Sequence, residues 1–202
     1  MWALDQLAAN GTVDLARDYD ELVEGLDERL VREPDEAGRP DNGFLAGRCG
    51  ALAVAQRHRD DAARTDLLVR LMAEQVGHPA LDLLYGAPGV IVALAGACPE
   101  DEAWTELLLA GGHLTWDAGP LRDRAGLCRG TAGNAYAFLA LWQRTADERW
   151  LERARRFALH ALGQVERRAT RWHSLFTGDV GVALCLRSCV EADPRFPALG
   201  WF

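Results

Sequence analysis

Residues 125–142 read AGLCRGTAGNAYAFLALW, and they hold the side chain best placed to do chemistry. Cys128 sits beside Arg129 in a turn between Gly126 and Gly130, directly ahead of an apolar run. A cysteine so placed suits metal ligation or nucleophilic attack, because the thiolate performs both. The guanidinium of Arg129 favours the thiolate by charge and cannot itself ligate a metal. The other four cysteines, Cys49, Cys98, Cys185 and Cys189, lie in or beside apolar helical stretches and read as small buried hydrophobes. Five cysteines without regular spacing do not make a disulfide framework.

The Cys128 turn is one of four with the same layout. FLAGRCGALAVA (44–55), LLYGAPGVIVAL (83–94), LCRGTAGNAYAFL (127–139) and LFTGDVGVALCL (175–186) each place two bulky residues before a Gly-x-x-Gly turn and an apolar run after it. The leading glycines, Gly47, Gly86, Gly130 and Gly178, are 39, 44 and 48 residues apart. Such a period signals stacked helical hairpins. The glycines are expected to supply positive φ and close approach between turns. The residues just ahead of them, Leu45–Ala46, Leu84–Tyr85, Cys128–Arg129 and Phe176–Thr177, are expected to face a shared site.

Between the turns lie amphipathic segments, 60–76, 101–116 and 147–166, each opened by an aspartate suited to cap a helix. The runs after the turns carry almost no charge, so they read as buried inner helices, with the amphipathic ones outside. The fold class expected is all-α, a double layer of helical hairpins. The arginines of ERARRF (152–157) read as a solvated face interleaved with Glu148 and Glu152. Residues 1–40 read as a separate acidic amphipathic helix and loop, and 41–202 as the hairpin domain. The tail DPRFPALGWF reads as extended and packed on the last hairpin.

With 202 residues, 49% of them hydrophobic, the chain can build one sizeable core. A net charge of −8 argues against nucleic acid as a partner. No apolar run reaches the roughly 18 residues of a membrane span, and the N-terminus has no signal-peptide pattern, so a cytoplasmic location is expected.

GLCRGTAGNAYAFL, followed by HSLFTGDVGVAL and RFPALGWF, resembles the lanthionine synthetase C-like (LanC-like) family over about residues 42–202. The resemblance implies an α/α toroid with a zinc ion held by two cysteines and a histidine. It also implies addition of a thiol to dehydroalanine or dehydrobutyrine, which forms lanthionine in peptides; eukaryotic-type members are linked to glutathione addition. Zinc would lower the thiol pKa and position the thiolate. In this chain Cys128 matches one ligand position, while Leu84 and Arg129 stand where the family has cysteine and histidine. The site expected from the resemblance is therefore a degenerate zinc site. Leu84, Tyr85, Cys128, Arg129 and His173 would line its cavity. His113 and His160 are further, weaker substitutes for a ligand, and no acid/base residue is assigned.

The toroid is expected to be incomplete or shortened, with the join near Gly86. An open arc would expose apolar faces, which a homodimer or a partner enzyme would cover. The readings in play are zinc-dependent thiol addition with a peptide or small thiol as substrate, a non-catalytic peptide-binding or partner-binding module, and a truncated gene product.

Overall fold

The computed structural model describes residues 76–95 and 102–197, with scattered positions ahead of them. Residues 1–40 (Gly11 excepted), Cys49, Cys98 and the first Gly turn (Gly50 excepted) lie outside the described residues. Five helices are described and no strands: α1 (Ala87–Leu94), α2 (Glu102–Ala118), α3 (Thr131–Thr145), α4 (Glu148–Glu166) and α5 (Asp179–Glu191).

α1 and α3 form the expected buried layer, whereas α5, which also follows a Gly turn, buries only the face of Gly181, Val182, Cys185, Ser188 and Cys189. All eight residues of α1 are buried, as is every residue of α3 from Thr131 to Leu141. These runs can be apolar all round because each is covered on every side. α3 packs against α1, α2, α4 and α5. The outer helices α2 and α4 bury one face each. α4 contributes Trp150, Leu151, Ala154, Phe157, Ala158, Ala161 and Val165, a stripe at helical spacing. Phe138 of α3 anchors the aromatic core, stacked on Trp150 at 5.9 Å and edge-on to Phe157 at 4.9 Å. Gly112 lets α2 come in close, since a Cβ there would lie 2.3 Å from Leu141 Cδ1 and 2.8 Å from the Trp150 ring.

Asp147 caps α4 by accepting the Arg149 N–H at 3.0 Å, as its sequence position predicts. Residues 193–197 of the tail follow α5 in irregular conformation, and Phe196, fully buried, packs edge-on to Tyr136 at 5.0 Å; residues 198–202 lie outside the described residues. Cys185 and Cys189 are buried.

Two expectations need correction. The ERARRF face is solvated at Arg155 and Arg156, as expected, and departs from that reading at half-buried Arg153. Arg156 does pair with Glu152, but Arg153 lies over the rings of Trp150 (4.5 Å) and Trp116 (4.9 Å), and Arg155 donates to the Cys189 carbonyl at 3.2 Å. The apolar stems and flat guanidinium faces of arginine cover aromatic surface that Glu cannot.

The described leading glycines, second, do not use positive φ. Gly86, Gly130 and Gly178 have φ of −114°, −139° and −123°. They are glycine for lack of room. A Cβ on Gly86 would lie 1.9 Å from the Ala80 carbonyl oxygen, and one on Gly178 2.0 Å from that of Trp172. Two of the second glycines repeat the device: a Cβ on Gly133 would lie 1.9 Å from the Leu127 carbonyl oxygen and one on Gly181 2.1 Å from that of Leu175. At these four glycines a side chain would run into the chain's own backbone six residues earlier, whereas one on Gly130 would meet that of Gly126, four earlier.

Candidate functional site at the glycine turns

The first and last of the three described turns share a hydrogen-bonding register. The residue four positions ahead of the leading glycine closes the turn through its carbonyl: Asp82 O accepts Gly86 N–H at 3.0 Å, and Ser174 O accepts Gly178 N–H at 3.1 Å. The side chains at these positions act alike. Asp82 Oδ1 accepts the N–H groups of Leu84 (3.1 Å) and Tyr85 (2.9 Å), and Ser174 Oγ accepts that of Thr177 (3.3 Å). The middle turn has Gly126 here, because the neighbouring turn occupies the space. A Cβ on Gly126 would lie 2.8 Å from Phe176 O and 2.7 Å from Thr177 C.

The turns are therefore side by side, as their glycines predict. Cys128 N–H donates to Phe176 O at 2.8 Å. On the other flank, Arg129 Nε donates to Asp82 Oδ2 at 3.4 Å, and the Arg129 guanidinium lies 5.3 Å from the centre of the Tyr85 ring. Asn134, the first residue after the Gly-x-x-Gly of the middle turn, donates through Nδ2 to Leu81 O at 2.8 Å and ties α3 to the first turn.

A cleft of about 220 Å³ opens between the middle and last turns. Its lining includes Cys128, Arg129, Arg168, Trp172, Phe176 and Thr177, with Asp123 and Arg124 at exposed positions. Cys128 is half-buried. Burial pushes its thiol pKa up, Asp82 adds to the rise, and Arg129 opposes it without winning. The expectation that Arg129 activates this thiol therefore fails, first because burial disfavours the thiolate and second because Asp82 opposes the charge of Arg129.

Of the five residues expected around the cavity, Cys128 and Arg129 line this cleft. Leu84 and Tyr85 sit in the adjoining turn, half-buried, with Tyr85 against Arg129. His173 is exposed in the loop ahead of the last turn and is not among the lining residues. His113 stands on the outer layer against Trp150 (5.1 Å), and His160 is exposed on α4. Trp172, Arg168 and Asp82 were not singled out by sequence. The readable signal was register: Asp82 and Ser174 share one repeat position. Trp172 likewise sits six residues ahead of Gly178, as Ala80 does ahead of Gly86.

This combination defines a class of protein: stacked α/α hairpins whose Gly-x-x-Gly turns crowd together at one end and frame a small cleft. A family model for lanthionine synthetase C-like proteins matches residues 85–199, and the chain belongs to that family. It is 33% identical over 124 residues to a LanC-like protein, GCL1, of Arabidopsis thaliana, covering 56% of this chain and 28% of the relative. It is 37% identical over 128 residues to the glutathione S-transferase LANCL1 of Danio rerio, covering 58% of this chain and 32% of the relative. The match thus spans less than a third of either relative's length.

Proposed function

We propose that this chain is a peptide-binding LanC-like module that works without zinc. One observation supports the reading: Arg129, which stands where the family resemblance has a histidine ligand, is engaged by its neighbours. Its Nε is turned to buried Asp82 and its face lies on Tyr85. A guanidinium has no lone pair to give a metal, and Leu84 has no donor atom. Cys128 is then one thiol where catalytic zinc needs about three protein ligands. Among the described residues, no three His, Cys, Asp or Glu side chains gather closely enough to hold a metal. The residues present do not fit the family's zinc, and no catalytic step is derived through it.

The family reaction, thiol addition to a dehydroamino acid, remains the second reading. It is supported by Cys128 and by the transferase activity in the name of the LANCL1 relative. The module reading retains the family's ligand type, a dehydrated peptide, and drops the chemistry. It includes a cytoplasmic location, supported by three free thiols among the described cysteines. It also includes a partner, a second copy or a modification enzyme, over the outer side of α5, where Val180 and Val190 are exposed.

The test is calorimetric titration of a dehydroalanine-containing peptide into the full chain, with and without a chelator, together with zinc analysis. Binding that persists in chelator and in Cys128→Ala supports the module. About one zinc per chain, lost together with thiol-addition turnover in Cys128→Ala, would overturn it.

A further inference from the structure

The Nη edge of Arg129 has no assigned task. The guanidinium is fixed from two sides, by Asp82 Oδ2 at its Nε and by the Tyr85 ring against its face. Asp82 is buried and held in turn by two backbone N–H groups, so this anchor is rigid. Nη1 and Nη2 of Arg129 have no hydrogen-bond partner among the described residues, and 46% of the side chain is exposed, at the cleft. A guanidinium fixed in this way offers two parallel donors, the match for one carboxylate.

The rest of the cleft selects what carries that carboxylate. Trp172 is 60% exposed and Phe176 38%, and both line it. Exposed aromatic rings at the mouth of a cleft are apolar anchors for a ligand side chain. The charges are balanced: Arg168 faces Asp179 at 3.7 Å, Asp82 offsets Arg129, and Asp123 stands next to Arg124. With these acidic neighbours the cleft has no excess charge for a polyanion, and of its three lining arginines Arg129 is the one held from two sides with its Nη edge toward the cleft. About 220 Å³ is below the roughly 300–1,000 Å³ of drug-sized sites, enough for one residue and not for a folded segment. The Cys128 thiol, kept neutral by burial, adds no negative charge beside an incoming carboxylate.

We propose that the cleft receives the C-terminal residue of a peptide, with its α-carboxylate on the Nη edge of Arg129 and an apolar side chain against Trp172 and Phe176. This rests on the peptide-binding reading and names the part of the peptide that is bound.

The experiment compares acetyl-Gly-Gly-Phe as free acid and as amide, titrated into the full chain in chelator. The acid is expected to bind roughly tenfold tighter than the amide, the scale of a charge-assisted bidentate contact. Arg129→Gln should bring the two to equal affinity. Arg129→Lys, which keeps the charge and loses the fork, should lose most of the preference. Trp172→Ala should weaken both probes and leave their ratio unchanged. Equal binding of acid and amide to the unaltered protein overturns the proposal, and this comparison needs no variant to fold. If neither probe binds but the dehydrated peptide does, the C-terminal assignment falls and the module reading stands. If no peptide binds, both fall.

Discussion

Asp82 and Arg129 join two successive turns of the hairpin repeat, Oδ2 to Nε at 3.4 Å, with the carboxylate buried and the guanidinium half in solvent. Asp82 serves its own turn first, through Oδ1 and two N–H groups. Asp82→Ala leaves those donors unpaired in a part-buried turn, so a loss of about 1–3 kcal/mol is expected in urea unfolding. Asp82→Asn keeps an acceptor oxygen and should cost less.

The same pair governs Cys128. Asp82 raises the thiol pKa and Arg129 lowers it, with burial the larger effect upward. At pH 8 the protein's thiol should alkylate with iodoacetamide more slowly than free cysteine, because less of it is thiolate. Asp82→Asn should speed the reaction, and Arg129→Gln should slow it further. The linked stability has a defined sign. A folded-state thiol pKa above the unfolded one contributes stability that is present below the unfolded value and lost as pH rises through the folded one. Cys128→Ser should flatten the alkaline limb of the stability profile.

The glycine crossings predict a sharp contrast. Gly133→Ala and Gly181→Ala put a methyl about 2 Å from a carbonyl oxygen and should prevent native folding, read as loss of a cooperative melting transition. Gly163 lies within α4, where a Cβ would meet only the mobile end of Arg167, at 3.2 Å. Gly163→Ala should raise stability by about 0.5–1 kcal/mol through helix propensity.

Tyr136 and Ser188 form a buried hydroxyl pair at 2.9 Å between α3 and α5, and burial pushes the Tyr136 pKa above the ordinary tyrosine range. Tyr136→Phe leaves Ser188 without this partner and should cost about 1 kcal/mol or more. Adding Ser188→Ala should recover part of that loss. A double-mutant cycle by denaturant unfolding measures the coupling.

Much of this fold was legible in the sequence because the repeat is written in residue types that backbone crowding demands. Gly-x-x-Gly before an uncharged run marks the buried helices α1 and α3, while the same turn before α5, which carries Asp179, Arg187 and Glu191, opens a helix buried on one face; Asp147 marks the start of α4. The reason for the glycines was not legible. Positive φ and a close crossing select the same residue, and only the path of the chain separates them. The candidate site was legible by position and not by electrostatics. Cys128 and Arg129 are neighbours in sequence, but what opposes Arg129 is burial and, after it, Asp82, 47 positions from Arg129. Arg153 misled for a similar reason: its charge suggested solvent, while its partners, Trp116 and Trp150, are supplied by two helices.

α3 touches each of the other described helices, while none of the others has comparable reach. Its amide hydrogens between Ala135 and Leu141 can therefore exchange with solvent only when the whole assembly opens, whereas α1 and α5 can each detach on one side. The clock for α3 exchange is the clock for global unfolding, so a single slow set of amides there would report the protein's full stability without any denaturant.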